Sequence, residues 1–244
     1  MNSKNIFIKR TFISVSPGVI SIFLSLFSLP IFLNILGSSY FGQYLIQNLF
    51  FSLGFVLNFG IYRLVIINSF NSEKHSNKIK NTFYAQINII LSILFSSLFF
   101  FILYLANDKF NIPTLSLILN KYIFIGLIIT SLFFTLESIQ KVSEKFYQLA
   151  FFNLIFNGVS FTAPAFYLYF KKLTTDGDFF VLSYPHELIF IVVSIKIIAL
   201  FFFFFISFFQ EKVGNIFNFT NYVNIEIKDF KEIFYATNQS FIFF

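Results

Sequence analysis

The sequence predicts an all-α polytopic membrane protein, because it is too apolar for a soluble domain and its apolar runs have the length of transmembrane helices. Of 244 residues, 57% are hydrophobic, 44 are phenylalanine and only 11% are charged, and the mean hydropathy is +0.79. A soluble domain of this size needs much more charged surface. The absence of cysteine also excludes a disulfide framework, a thiolate metal site and a cysteine nucleophile.

Six uncharged apolar runs are predicted to be transmembrane helices, since about 20 helical residues cross roughly 30 Å of hydrocarbon. The first is interpreted as a retained helix, because it is too long for a signal peptide and has no small-residue cleavage site. The fourth is the shortest, because Lys121 and Glu137 leave only about 15 uncharged residues between them. The runs lie at residues 11–36, 45–67, 83–105, 122–136, 146–170 and 188–209.

A seventh apolar run starts after Lys231 and reaches Phe244 after about a dozen residues, well short of a full span. The predicted domains are a six-helix transmembrane lobe at residues 1–209, a cytoplasmic connection at 210–231 and the truncated start of helix seven at 232–244. We therefore expect this chain to be the amino-terminal portion of a longer protein.

The distribution of cations predicts the orientation of the chain. Lysine and arginine in short loops are retained on the cytoplasmic side of a membrane. If the amino terminus is cytoplasmic, the inner segments hold eleven of the 17 lysines and arginines, and the outer segments hold four. We therefore expect a multi-pass protein with a cytoplasmic amino terminus.

Two cations lie inside the predicted helices, at Arg63 and Lys196. Arg63 is only about four residues from the inner end of the second run, so snorkelling to the headgroups accounts for it. The alternative is a cavity-facing arginine that pairs with a phosphate in bidentate fashion.

Lys196 is deeper, roughly 12 Å from one end of its helix and about 20 Å from the other. Its own helix offers no acid one turn away, so a partner must come from another helix or from a ligand. Glu137, at the inner end of the fourth predicted helix, comes closest to being an intramembrane carboxylate, but its predicted depth does not match that of Lys196. Deprotonation in an apolar site is the other simple outcome, and a structural polar contact and a functional cation both remain open.

The sequence predicts no metal site, cofactor or catalytic residue. Asp176 and Asp178 form a D-x-D pair of the kind that holds a divalent metal, but Asp-Gly-Asp is ordinary turn chemistry in a predicted outer loop. His186 and Glu187 are adjacent, so they point in different directions on a helix, and no second histidine lies at ligand spacing.

The segment at residues 23–63, FLSLFSLPIFLNILGSSYFGQYLIQNLFFSLGFVLNFGIYR, resembles the opening of an O-antigen flippase of the Wzx type. That family is the polysaccharide-exporting branch of the superfamily that includes the MATE transporters. Residues 228–234, KDFKEIF, are similar to the basic lead-in to the family's seventh helix. The matching elements in the first segment are Pro30, Leu36-Gly37, Tyr40-Phe41-Gly42, Tyr44, Asn58-Phe59-Gly60 and Arg63.

The resemblance implies a carrier that moves an undecaprenyl-diphosphate-linked oligosaccharide from the inner to the outer leaflet of the bacterial cytoplasmic membrane, for O-antigen or capsule synthesis. In the family, two helical lobes enclose a cationic cavity lined mainly by helices one, two, seven and eight. This chain would supply one lobe and need a second lobe or the missing carboxy-terminal half. The expected partners are the lipid-linked oligosaccharide and membrane lipid, with no nucleic acid.

The same resemblance assigns roles to three polar residues of the predicted spans. It favours Arg63, with Asn58, as the ligand of the substrate diphosphate, because helix two lines the family's cavity. Helix six lies nearer the periphery of its lobe, so Lys196 is expected to make a buried polar contact. Glu137 is the other intramembrane polar residue.

Two other functions are compatible with a polytopic chain. A MATE-like small-molecule exporter would normally carry an acid within the membrane, and Glu137 lies only at the edge of a predicted span. A membrane enzyme of polysaccharide synthesis, such as a polymerase, would need a large outer loop or an inner acidic site, and the sequence predicts neither. We therefore expect a transporter and not an enzyme.

Overall fold

The computed structural model describes residues 3–58, 60–71, 74–110, 119–142, 145–174 and 184–210, and all the regular elements among them are helical. Five helical segments are long and apolar enough to span a membrane: Thr11–Val56, Thr82–Phe110, Lys121–Val142, Phe146–Leu173 and His186–Phe209. The predicted all-α polytopic membrane fold is confirmed. The elements are α1 (Ser3–Val56), α2 (Ile61–Asn71), α3 (Lys74–Phe110), α4 (Lys121–Val142), α5 (Phe146–Asn153), a π-helix (Leu154–Val159), α6 (Ser160–Thr174) and α7 (Tyr184–Phe209).

Helix α1 folds back on itself at Gly37, where the backbone has a φ of 73° and a ψ of 171°. The Phe32 ring centroid lies 5.3 Å from that of Phe41 and 4.9 Å from that of Tyr44. In a straight helix, residues 32 and 44 would be roughly 18 Å apart along the axis. The chain therefore forms two antiparallel arms, at residues 3–36 and 38–56, which correspond to the first two predicted helices.

The second predicted run is interrupted, although its sequence is apolar almost throughout. Helix α1 ends at Val56 and α2 begins at Ile61, and Gly60 between them has a φ of 72°. The Asn58 side chain accepts a hydrogen bond from the Tyr62 backbone N–H at 2.9 Å, which caps the start of α2. Composition does not reveal the break, because Asn58 and Gly60 are uncharged.

The fourth span is longer than predicted, because Glu137 lies within the helix and not at its end. Helix α4 runs for 22 residues, from Lys121 to Val142. The Glu137 carboxylate accepts hydrogen bonds from Lys141 Nζ at 3.0 Å and Asn153 Nδ2 at 3.1 Å. Its charge is thus balanced inside the protein, and the helix continues past it.

Helix α4 is the central element of the bundle, and it packs against α1, α2, α3 and α7. Thirteen of its residues are buried, and small side chains let other helices approach closely. A Cβ atom at Gly54 on the second arm would lie 2.6 Å from the Thr130 Cβ and 2.8 Å from the Leu127 carbonyl oxygen. The span that was predicted to be the shortest therefore lies at the centre of the bundle, where it contacts protein more than lipid.

Side-chain pairings give the relative directions of the helices. Asn120 meets His186 at the start of α4 and Gln140 meets Ser207 near its end, so α7 runs parallel to α4. Helix α3 runs the opposite way, because its late residue Phe100 packs on the early residue Phe124 of α4. This alternation is what consecutive membrane crossings require. The seventh predicted helix, at 232–244, and nearly all of the connection at 210–231 lie outside the described residues.

Replacing Gly37 by alanine tests the hairpin, with Gly18→Ala as the matched control. A Cβ atom would meet nothing within 4 Å at either position, so the two differ in backbone conformation alone. Alanine at the φ and ψ of Gly37 is strained by about 1–3 kcal/mol. We expect Gly37→Ala to lower the thermal unfolding midpoint in detergent by several degrees. Gly18→Ala should leave it unchanged or raise it, and equal midpoints for the two variants would contradict the hairpin.

Candidate functional site

Lys196 lies in the middle of α7 and is only 6% exposed. Its Nζ donates a hydrogen bond to the backbone carbonyl oxygen of Phe156 at 2.9 Å. The same nitrogen lies 3.8 Å from the centroid of the Phe156 ring and 5.8 Å from that of the Phe51 ring. A carbonyl dipole and two aromatic faces thus surround the ammonium group, which is a favourable setting for a cation removed from water.

The π-helix at residues 154–159 makes the Phe156 carbonyl accessible. In an α-helix this oxygen accepts the N–H of Ser160, but here that N–H bonds to the carbonyl of Ile155. The Phe156 oxygen accepts instead from the Ser160 hydroxyl and from Lys196. The widened turn therefore supplies the acceptor that the lysine needs.

The local sequence favours an irregular turn at this point. Gly158 has no side chain, and a Cβ atom there would lie 2.7 Å from Ser21 Oγ on the first arm of α1. Pro164, in the next turn, lacks the N–H that a regular helix needs. Tyr44 on the second arm donates a hydrogen bond to the carbonyl of Phe161 at 2.9 Å, so a second backbone group of this helix also bonds to a side chain.

A second buried polar cluster joins the break between α1 and α2 to α3 and α4. Asn58 and Asn88 both donate to Thr135 Oγ1, at 2.7 and 2.9 Å. Ser92 donates to Ser131 Oγ at 2.9 Å, and Ser131 in turn donates to Asn88 Oδ1 at 3.0 Å. All five side chains are buried, so this network fastens three transmembrane segments to one another.

Asn58, one of the two predicted diphosphate ligands, is fully buried in this network. Besides Thr135, its amide nitrogen donates to the Ser131 carbonyl at 3.1 Å, and its oxygen accepts the Tyr62 N–H. Asn58 therefore faces α4 and fixes the start of α2. It can influence Arg63 through the position of that turn.

Arg63, the other predicted diphosphate ligand, lies in the first turn of α2 and is partly exposed. Its Nε donates to the Tyr62 hydroxyl at 3.0 Å, which fixes the plane of the guanidinium group. The structure does not bring Arg63 and Lys196 together. Lys196 lies beside Phe51, whereas Arg63 lies beyond the break that follows the second arm.

Glu137 pairs locally, with Lys141 and Asn153, and its side chain is 12% exposed. Its carboxylate therefore links the last turns of α4 to the end of α5, whereas Lys196 bonds to the backbone carbonyl of Phe156. The sequence could not identify the partner of Lys196, because a main-chain acceptor leaves no side-chain pattern. The sequence does contain one signal for an irregular helix, because Asn157-Gly158 is followed within the same predicted span by Pro164.

The polar residues near the start of α7 make separate contacts. His186 is hydrogen-bonded to Asn120 at 2.7 Å, and Glu187 forms an ion pair with Lys171 at 3.1 Å. Within the described ranges, no group of three or more His, Cys, Asp or Glu residues is placed to hold a metal ion. Asp176 and Asp178 lie outside those ranges.

Comparisons with protein-family models, with curated proteins and with solved structures found no match to this chain. The resemblance of residues 23–63 to a flippase family therefore stays a hypothesis about their function. The buried polar contacts and the position of Arg63 are the observations from which a function can be argued.

Replacing Asn58 by leucine, a residue of similar size, tests the network. The substitution removes two donated hydrogen bonds and the acceptor for the Tyr62 N–H, so we expect the free energy of unfolding to fall by about 1–3 kcal/mol. Asn34→Leu is the control, because Asn34 is exposed on the first arm of α1. The measurement is denaturation in mixed micelles, and equal stabilities of the two variants would show that the network contributes nothing.

Proposed function

We propose that this chain forms one lobe of a flippase that moves an undecaprenyl-diphosphate-linked oligosaccharide from the inner to the outer leaflet of the bacterial cytoplasmic membrane, for O-antigen or capsule synthesis. The observation that carries the proposal is Arg63, a partly exposed cation in the first turn of α2, after the break that follows the second arm of α1. The break coincides with Asn58-Phe59-Gly60, which belongs to the segment that resembles the flippase family.

A lipid-linked diphosphate cannot cross hydrocarbon unless fixed cations and polar groups replace its water. An arginine suits this task because its planar guanidinium pairs with two phosphate oxygens at once. The Tyr62 hydroxyl orients Nε of Arg63, and Asn58 fixes the turn from which the side chain projects. The orientation of the Arg63 guanidinium is therefore fixed by a hydrogen bond. A side chain that only reaches the headgroups does not need a fixed orientation, whereas a phosphate ligand benefits from one.

The remaining polar groups of the spans favour this assignment over the alternatives. Lys196 is occupied by the Phe156 carbonyl, so it serves the packing of helices. Among the described residues, Glu137 is the buried carboxylate that a cation-coupled small-molecule exporter could use, but Lys141 and Asn153 hold it at one end of α4. Neither a small-molecule exporter nor a polysaccharide polymerase is favoured by a specific contact.

Substitution of Arg63 at its own locus in the host tests the proposal. Arg63→Gln removes the charge, and the loss of a charge-assisted contact worth about 1.5–3 kcal/mol predicts a fall in surface polysaccharide of roughly 10-fold or more. Arg63→Lys keeps the charge but loses the two parallel N–H donors of the guanidinium, so its surface polysaccharide should lie between those of the wild type and Arg63→Gln. Lys172→Gln is the control, because Lys172 is an exposed cation at the far end of α6.

Surface polysaccharide and inner-leaflet lipid-linked intermediate are measured at matched protein levels. Accumulation of the intermediate in Arg63→Gln supports a block in translocation. Wild-type polysaccharide from that variant would overturn the role of Arg63. Unchanged polysaccharide after deletion of the whole gene would overturn the proposed function itself.

A further inference from the structure

An apolar groove of about 300 Å³ lies between α3, α4 and α7. Leu132 and Leu136 of α4 lie at its floor, Ile89 of α3 forms one wall, and Leu200 and Phe204 of α7 form the other. None of these residues belongs to the polar contacts of Lys196 or Arg63. The groove is therefore a separate feature of the bundle.

The groove exists because α3 and α7 pack on different sides of the same helix. Asn88 and Ser92 of α3 bond to one side of α4, and Phe203 and Ser207 of α7 contact another. In the part of the chain that the structure describes, α3 and α7 both pack along α4 but do not pack against each other. The space between them is left open above α4.

The apolar lining of the groove favours a hydrocarbon as its occupant. Its lining residues belong to the segments Thr82–Phe110, Lys121–Val142 and His186–Phe209, which are apolar enough to span a membrane. Thr135 is the polar residue of the lining, and its hydroxyl already accepts hydrogen bonds from Asn58 and Asn88. The walls offer nothing to a water molecule or a polar headgroup, so an apolar occupant is required.

The size of the groove selects a single chain. A volume of 300 Å³ is roughly twice the cavity of about 150 Å³ that holds one benzene molecule in another protein, so it accommodates on the order of a dozen carbon atoms. An extended hydrocarbon chain of about that length therefore fits the groove.

We propose that the groove binds the acyl chain of a membrane phospholipid, which fills the gap between α3 and α7. The lining residues that the structure describes offer no polar group that could recognise a headgroup. The most abundant hydrocarbon chain around the spans should therefore occupy the groove, and phospholipid is the bulk component of the bilayer. Phe201 borders the groove and is 61% exposed, so its ring covers part of the bound chain from the lipid side. This inference requires only that the chain spans a membrane and does not depend on the proposed function.

The test uses the full chain in nanodiscs that contain a phospholipid with a diazirine in the middle of one acyl chain. After illumination, mass spectrometry locates the cross-linked residues. We expect cross-links to concentrate on Ile89, Leu136 and Phe204. Phe27 is a reference for ordinary lipid contact, since it is highly exposed on the first arm of α1. Cross-links spread evenly over exposed apolar residues would overturn the proposal.

Ile89→Trp fills the groove from the α3 side and should remove the cross-links to Phe204. Ile90→Trp adds the same bulk to the next residue, which is 47% exposed outside the groove, and should keep them. If Ile89→Trp does not fold, Leu200→Trp is used in its place. It fills the groove from the α7 side and should also remove the cross-links to Phe204. Retention of the Phe204 cross-links in a folded groove-filling variant would contradict the proposal.

A competition experiment separates the two sources of hydrocarbon chain. Undecaprenyl phosphate is added at a low mole fraction to nanodiscs of the wild-type chain. Retention of the phospholipid cross-links supports the proposal. Their loss would overturn it, because the groove would then prefer an isoprenoid.

Discussion

The ammonium group of Lys196 lies in the middle of the transmembrane bundle, and the surrounding helices are arranged to give it an acceptor. An unsatisfied polar group in hydrocarbon costs several kcal/mol, so a buried lysine must find a partner inside the protein. Here the partner is the Phe156 carbonyl, which the π-helix releases from the Ser160 N–H. Phe51 places the second arm of α1 at the same point, and Phe133 of α4 stacks on Phe156 with centroids 3.8 Å apart.

The same requirement explains two other groups of buried polar residues. Asn58 and its four partners bond to one another between three segments, and Glu137 is neutralised by Lys141 and Asn153. These contacts hold helices together, so they are unavailable to a substrate unless they open. Arg63 is partly exposed in the first turn of α2, and we propose that it binds an anionic lipid on that ground. The apolar groove also follows this requirement. Its polar lining residue, Thr135, is already hydrogen-bonded to Asn58 and Asn88, so the groove presents an apolar surface.

The sequence predicted the fold class because span length and low charge are dictated by the thickness of a bilayer. It also predicted a turn near Gly37, where the hairpin reverses. It did not predict the break before α2, because an uncharged Asn-Phe-Gly does not interrupt an apolar run. It underestimated α4, because an ion pair between Glu137 and Lys141 is compatible with a buried helix. The acceptor for Lys196 was beyond prediction, since it is a main-chain carbonyl on another helix.

A double-mutant cycle between Lys196 and Phe156 tests whether the ammonium group lies against Phe156, as the structure shows. Lys196→Met removes the charge while keeping an unbranched side chain, and Phe156→Leu removes the ring. We predict a coupling free energy of about 0.5–2 kcal/mol from unfolding in mixed micelles, because each substitution removes the contact between the ammonium group and the Phe156 ring, while Phe156→Leu keeps the carbonyl acceptor. Lys196→Met with Phe32→Leu is the control pair, because Phe32 packs at the hairpin, and it should be additive within about 0.5 kcal/mol. Additivity of the Lys196 and Phe156 substitutions would contradict the placement of the ammonium group against the Phe156 ring.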